Sequence, residues 1–197
     1  MKAISLNRII KYLILSDLVF WFGWGLLNPI FAIFILESIQ GGDIIVIGIA
    51  NAIYALTLSL FRIPFGILLD KFPNEDDDYL ALILGLFLVS ILPFFFMIAK
   101  KPFDIYLLQF FHGFGIALSL SGWTAIFTRH IDKGKEATQW GIDATAVGIG
   151  TGISGFLGSV LVKNFGFNFT FFLTGIFGLL GTFLILAIKK EVLKKYD

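Results

Sequence analysis

The chain alternates between long apolar runs and short charged segments. Reading between the charged segments gives six apolar spans, at about 12–36, 44–69, 79–99, 103–128, 139–162 and 167–188. Each is longer than the roughly 20 residues that a helix needs to cross the hydrocarbon core of a bilayer. Because backbone groups in lipid must be satisfied within the protein, the pattern predicts an all-α integral membrane protein. We expect one domain of six transmembrane helices over residues 1–197, with each helix numbered by its span.

The composition supports this interpretation and excludes several kinds of chemistry. Hydrophobic residues make up 57% of the 197-residue chain and charged residues 15%, whereas a soluble domain has about 25% charged residues. The chain has no cysteine, which removes disulfides, thiolate metal sites and thiol catalysis. Span 1 is too long for a signal-peptide core and is expected to remain in the mature protein.

The basic residues between the spans predict the orientation of the chain. Of the 15 Lys and Arg residues, eleven fall on the side of the two termini, three fall on the other side, and Arg62 lies within span 2. The eleven are Lys2, Arg8, Lys11, Lys71, Arg129, Lys133, Lys135, Lys189, Lys190, Lys194 and Lys195; the three are Lys100, Lys101 and Lys163. Since cytoplasmic loops carry the excess of positive charge, both termini should be cytoplasmic in a plasma (inner) membrane.

Polar residues inside the spans are concentrated in spans 1, 2, 4 and 5, whereas spans 3 and 6 are apolar enough to face lipid on all sides. Spans 1 and 4 each carry a stripe of polar and tryptophan residues on one helical face. Buried polar groups in membranes normally face protein or a water-filled cavity. We therefore predict a substrate cavity, with hydrogen bonding between helices as the alternative explanation. Its predicted lining is Trp21, Trp24, Asn28, Asn51, Tyr54, Gln109, His112, Ser119 and Trp123.

Four segments are similar, in order and in position, to motifs of the major facilitator superfamily. Residues 66–71 (GILLDK) are similar to G-x-x-x-D-[RK]-x-G-[RK]-[RK], and residues 109–115 (QFFHGFG) to R-x-x-x-G-x-G. Residues 150–159 (GTGISGFLGS) are similar to G-x-x-x-G-P-x-x-G-G, and residues 166–172 (GFNFTFF) to G-W-R-W-x-F-x. The chain therefore resembles the amino-terminal six-helix half of such a transporter over nearly its whole length.

The resemblance implies an architecture. In that family helices 1 and 4 line the substrate cavity, helices 2 and 5 join the two halves, and helices 3 and 6 face lipid. Two departures limit the comparison: Gln109 replaces the motif arginine, and Pro73-Asn74-Glu75 stands where the loop motif has glycine and two basic residues.

The family has twelve helices in two parallel halves, whereas this sequence holds six spans. We expect a homodimer with twofold symmetry, the commonest oligomer symmetry, or else a pairing with a related six-helix chain. In the dimer, helix 2 would pack on the partner's helix 5 through Gly150, Ser154, Gly155 and Gly158. Gly66, Asp70 and Lys71 would form a cytoplasmic latch, with Asp70 near the amino terminus of that helix.

The expected function is the movement of a small molecule by alternating access, without an enzymatic activity, a cofactor or a metal site, and with no nucleic acid as partner. The candidates for proton coupling are Asp17, then His112 and then Asp143; a fixed ion pair with Arg62 is the alternative role of Asp17. Two substrate classes stay open: apolar or cationic compounds that use the aromatic rings, and sugars or other polar metabolites that use the amides. The alternative function is a non-transporting membrane subunit. The four carboxylates at 75–78 are expected in a solvated turn.

Overall fold

The computed structural model describes residues 6–72 and 75–193. Lys2, Lys194 and Lys195 of the orientation argument, and Pro73 and Asn74 of the loop motif, lie outside the described residues. The regular elements of the described ranges are the helices α1 (Arg8–Gly25), α2 (Phe31–Ser38), α3 (Ile44–Leu69), α4 (Asp76–Phe96), α5 (Pro102–His130), α6 (Glu136–Leu186) and α7 (Lys189–Leu193). Four of these, α3 to α6, are long and apolar enough to cross a membrane.

The first predicted span is divided into two helices. Helix α1 begins at Arg8, after Asn7, whose side-chain oxygen accepts a hydrogen bond from the Ile10 backbone at 2.9 Å. Residues 26–30 form turns before α2 begins. Pro29 lies inside this break, and since proline has no N–H it cannot bond to the carbonyl of Gly25 four residues earlier. The apolar pattern continues through the break, so hydrophobicity alone does not reveal it.

Helix α6 joins the fifth and sixth predicted spans across a sharp kink. Its 51 residues would extend about 75 Å as a straight helix, more than twice the thickness of a bilayer core. Gly166 interrupts it with non-helical angles, φ 81° and ψ 174°. Glycine tolerates this positive φ because it has no Cβ. The kink divides α6 into two parts, 136–165 and 167–186.

Small residues and buried hydroxyl groups hold α1 between the two parts of α6. A Cβ at Gly25 would overlap Ser154 in the first part, and one at Gly23 would overlap Phe177 in the second. The Ser16 hydroxyl donates to the Gly181 carbonyl at 2.9 Å. Close approach at small residues, reinforced by interhelical hydrogen bonds, is how helices associate in lipid.

The glycine stripe of α6 corrects one sequence-based expectation. Of the four residues assigned to packing on a partner, Gly150, Ser154 and Gly158 are buried against α1 of the same chain. Gly155 lies beside them and is half-buried. The opposite face of this part of α6 carries Gly141, Gly148 and Gly152, and each of these has open space where a Cβ would point. We call these three residues the outer glycine face. Both faces carry glycine, so the sequence did not distinguish them.

The burial of the helices does not follow the polarity of their sequences. In the most apolar 18-residue window of each helix, 56% of α4 is buried but only 17% of α3. One face of α4, with Leu82, Leu86 and Val89, packs inside the bundle, while Leu84 and Phe87 stay exposed. Span 3 therefore does not face lipid on all sides. Of the four long apolar helices, α3 is the least buried.

The acidic segment at the start of α4 is not a solvated turn, which corrects a second expectation. Glu75 and Asp78 are fully buried where the start of α4 meets the end of α5. Arg129 donates to Asp78, and His130 Nε2 lies 3.6 Å from Glu75 Oε2. The close approach of Gly122 to the Asp78 backbone brings the two helices together here. Asp76 alone of the segment is exposed.

A short polar network closes the neighbouring loop between α5 and α6. The Gln139 side chain is buried and bonds twice to Asp132: it accepts from the backbone N–H at 3.0 Å and donates to the carboxylate at 2.9 Å. Lys135 donates to the same carboxylate at 3.2 Å. This ammonium group, with Gln139, holds the pKa of Asp132 below its usual value. The loop is therefore fixed by charge-assisted bonds.

Candidate functional site

A cavity of about 190 Å³ lies between α1, α3 and α5, close to the turn at residues 26–30. Seven of the nine residues predicted to line a cavity meet here: Trp21, Trp24, Asn28, Asn51, Tyr54, Gln109 and His112. The remaining wall consists of Leu27, Phe31 and Phe96. No Asp, Glu, Lys or Arg side chain lines this cavity.

The local folding of three elements positions the cavity residues. Trp21 and Trp24 are three residues apart in α1 and therefore share one face. Asn28 lies in the turn that follows and is exposed at the rim. Gly113 lets α5 approach α3 so closely that a Cβ would overlap the Tyr54 carbonyl. This contact brings Tyr54 against the preceding residue of α5, His112.

The imidazole of His112 is enclosed by two rings and one amide. Its ring centroid is 4.0 Å from that of Trp24, with the planes 17° apart, and 4.5 Å from that of Tyr54. His112 Nδ1 lies 3.1 Å from Gln109 Oε1. In contrast, His112 Nε2 and Trp24 Nε1 are buried without a hydrogen-bond partner among the described residues. The site thus holds a fixed imidazole with one unused ring nitrogen.

The other two predicted residues, Ser119 and Trp123, lie in a second and smaller cavity of about 30 Å³. Asp17 lines this second cavity, and Trp21 lines both. Space of that size holds one or two water molecules. The Ser119 hydroxyl donates to the Ile116 carbonyl in its own helix at 3.2 Å. The polar stripes of α1 and α5 therefore face each other along two adjoining spaces rather than around one.

Two carboxylates come together beside the second cavity. Asp17 of α1 is half-buried, and the charge of Asp143 in α6 acts on it. Asp143 is buried, and its Oδ1 has no partner among the described residues. Arg62, the alternative partner of Asp17, lines a different cavity, and no ion pair within the described ranges joins the two. The third candidate for proton coupling, His112, lies in the first cavity.

The predicted latch residues are only partly brought together. Gly66 and Asp70 line an open cavity of about 370 Å³ between α3 and α5, together with Arg62 and Arg129. Lys71 is exposed in the turn after α3 and does not line that cavity. Asp70 caps the end of α3 and is exposed as well.

Sequence patterns missed the apolar part of the main cavity. Phe31 and Phe96 line it, but 24 phenylalanines in one chain give no means of choosing these two. Pro29 was the usable signal, since a broken helix in a membrane protein is expected next to a binding site.

Comparison with known proteins gives a consistent result. A family model described as Major Facilitator Superfamily matches residues 13–195. An uncharacterized transporter of Buchnera aphidicola subsp. Schizaphis graminum (strain Sg) is 28% identical over 162 residues, which cover 80% of this chain and 40% of that protein. The quinolone resistance protein NorB of Staphylococcus aureus (strain bovine RF122 / ET3-1) is 26% identical over 183 residues, which cover 91% of this chain and 37% of that protein.

A solved structure shows the same fold. The POT family transporter PepTSo, solved by in meso crystallography, superposes with a TM-score of 0.73 at 15% identity. The match covers 96% of this chain and 39% of PepTSo. The chain thus spans about two fifths of the length of the relatives that it matches.

Proposed function

The chain belongs to the major facilitator superfamily, and from that premise we propose that it moves a small molecule across a membrane by alternating access. The observation that supports this most is the cavity between α1, α3 and α5, where seven polar or aromatic side chains from separated parts of the sequence meet. Members of this family are transporters rather than enzymes, and the cavity has the features of a binding site without reactive groups. Counterflow in proteoliposomes, with a small panel of substrates, tests the proposal. Absence of exchange by folded protein for every substrate would contradict it.

The chain is a multi-pass integral membrane protein, and we propose six crossings in one domain. The crossings would be α1 with α2, then α3, α4 and α5, and finally the two parts of α6 on either side of Gly166. The excess of basic residues in alternate loops supports cytoplasmic termini in an inner membrane. Accessibility of single engineered cysteines to a membrane-impermeant reagent checks the orientation.

The cavity has features of half a site. Its volume of about 190 Å³ is below the roughly 300–1,000 Å³ of typical ligand pockets, and Asn28 and Asn51 are exposed at its rim. Helix α3 and the outer glycine face of α6 have the fewest neighbours. We propose that a second six-helix unit covers these surfaces and completes the cavity. A second copy related by a twofold axis is our first choice; a related six-helix unit is the alternative.

The arrangement of the two units predicts a contact of α3 with the partner's α6. Leu60 of α3 is exposed, and Gly152 of α6 has open space beside it. Because the chain has no cysteine, a Leu60→Cys, Gly152→Cys double variant should give a disulfide-linked dimer. Each single variant controls for like-to-like linkage. The matched control replaces Leu60→Cys with Leu84→Cys, on the exposed face of α4; equal dimer formation by both pairs would contradict the arrangement.

We further propose that Asp17 couples transport to protons. It lies beside the substrate cavity through the shared residue Trp21, and the like charge of Asp143 acts on it. An ionisable side chain inside a membrane-spanning segment is costly and by default marks an ion or substrate pathway. Asp17→Asn should abolish uptake driven by a pH gradient while counterflow persists, and Asp76→Asn, at an exposed carboxylate, is the control. Unchanged pH-driven uptake by Asp17→Asn would refute the role.

The latch is the last part of the proposal. Asp70 is exposed at the end of α3, where it would meet the amino terminus of the partner's α6 near Thr138. A carboxylate at an exposed helix amino terminus gains about 0.3–1 kcal/mol, enough to shift an equilibrium between two conformations.

The alternative function, a non-transporting subunit, would be supported if the dimer forms but no substrate is exchanged.

A further inference from the structure

We propose that the cavity takes an uncharged ring compound that carries hydroxyl groups. In this assignment His112 Nε2 accepts a hydrogen bond from the ligand, Trp24 Nε1 donates one, and Gln109 is a positioning residue that fixes the imidazole. The inference rests on the proposed function, because it takes this cavity as the substrate site, and it narrows the two substrate classes to one.

The first observation concerns which ring nitrogen of His112 carries the proton. Gln109 Oε1 lies 3.1 Å from His112 Nδ1, and an amide oxygen can only accept. The proton of a neutral imidazole is therefore on Nδ1, and Nε2 keeps a lone pair that accepts. No carboxylate lines the cavity to favour the imidazolium form. The amide thus decides what the other ring nitrogen can do, as the hydrogen-bond partner of a metal-binding histidine does.

The second observation is the pair of polar atoms that lack partners. His112 Nε2 and Trp24 Nε1 are both buried and unpaired, and their rings are stacked 4.0 Å apart. One atom is an acceptor and the other a donor. Buried polar groups without partners are unusual in native structures. A hydroxyl group can donate to the first and accept from the second, whereas a compound without hydroxyl or N–H groups satisfies neither atom.

The third observation is the lack of charged residues in the cavity lining. The cavity lining contains no Asp, Glu, Lys or Arg, and Asp17 lies in the separate space of about 30 Å³. A cation would therefore depend on the aromatic rings. His112 already covers one face of Trp24 and one face of Tyr54. The exposed amides of Asn28 and Asn51 at the rim provide more donors and acceptors for hydroxyl groups. The arrangement favours a polar neutral compound over a cation.

Binding is measured on the purified full chain in detergent as the ligand-dependent rise in its thermal unfolding temperature. Methyl β-glucoside, inositol and uridine are the uncharged probes, and tetraphenylphosphonium is the cationic probe. We expect at least one uncharged probe to bind at concentrations about tenfold below those needed for tetraphenylphosphonium. Tighter binding of tetraphenylphosphonium, or binding of none of the uncharged probes, overturns the proposal.

Variants of the two residues test the assigned roles. Gln109→Met removes the acceptor but keeps the length of the side chain, and Trp24→Phe keeps a stacked ring but removes the N–H. Each should raise the half-saturating concentration of the uncharged probe about tenfold, the effect of one lost hydrogen bond. Gln109→Met should leave that of tetraphenylphosphonium unchanged.

Thr124→Val is the matched control on the same helix, since Thr124 lies outside both cavities and its hydroxyl donates to the Leu120 carbonyl of its own helix. It should bind all probes as wild type does. Equal weakening of both probe classes by Gln109→Met would assign Gln109 a merely structural role and overturn the inference. Selective binding of an uncharged probe without counterflow would contradict the transport function but support the proposed ligand class. Counterflow of tetraphenylphosphonium alone would support the transport function but contradict the proposed ligand class.

Discussion

The contact of Gly158 with α1 gives the most direct test of the fold. A Cβ at Gly158 would overlap the carbonyl oxygen, carbonyl carbon and Cα of Leu26. Gly152, in the same helix, has open space at the corresponding position. The two glycines are six residues apart and differ only in the face of α6 that they occupy. Gly158→Ala and Gly152→Ala are therefore a matched pair.

The expected difference follows from two opposing effects. Replacing glycine by alanine inside a helix stabilises it by about 1 kcal/mol. At Gly158 this gain is opposed by overpacking, which typically costs about 1–3 kcal/mol. The cost should be near the upper value, because the atoms that would have to move belong to the backbone of Leu26, the residue that caps the end of α1. We expect Gly158→Ala to lose about 1–2 kcal/mol and Gly152→Ala to gain up to about 1 kcal/mol.

Thermal unfolding in detergent measures both variants under identical conditions. In chains of this size 1 kcal/mol corresponds to about 2–4 °C, so the two midpoints should differ by roughly 5–10 °C. Circular dichroism at low temperature confirms that both variants are helical. If Gly158→Ala is as stable as Gly152→Ala, α1 does not pack against this face of α6 and the corrected assignment of the glycine stripe is wrong.

Three further predictions concern stability and use the same measurement. Arg129→Met should destabilise the protein by about 3–5 kcal/mol, because it leaves the fully buried Asp78 carboxylate without the cation that donates to it. Asp78→Asn should cost less, since asparagine is neutral and no uncompensated carboxylate stays buried; the reverse order would contradict the explanation. Asp43→Ala should cost about 1 kcal/mol, since the carboxylate caps α3 by accepting from the Val46 N–H at 2.7 Å. Asp43→Asn should keep most of this stability, and an equal loss of stability in both variants would exclude capping. Ser16→Ala should cost about 0.6 kcal/mol, the average for a hydrogen bond between membrane helices, and no loss would show that its bond to Gly181 adds nothing.

Much of the candidate site followed from residue spacing. Trp21, Trp24 and Asn28 share a face because 3.6 residues make a helical turn, and the structure places all three on one cavity. Spacing failed where two faces of a helix have similar composition, as at Gly150 and Gly152. It also failed at Glu75. This carboxylate is buried next to His130, the last residue of α5, and spacing along the chain does not show that contact.

The sequence by itself determined the class of the molecule. Apolar runs of more than 20 residues, with few charges, allow only membrane-crossing helices, and four ordered motifs resemble one transporter family that the family model then matched over residues 13–195. These properties are local or nearly so, because they depend on composition and on residues within a few turns of each other.

Only the tertiary structure decided which polar groups meet. It divided the two stripes between adjoining cavities, set His112 between Trp24 and Tyr54, and turned Gly158 toward α1 rather than outward. The physical reason is that the rotation of each helix about its axis is fixed by close packing with helices distant in sequence. Helical periodicity shows which residues share a face, but packing decides what that face contacts.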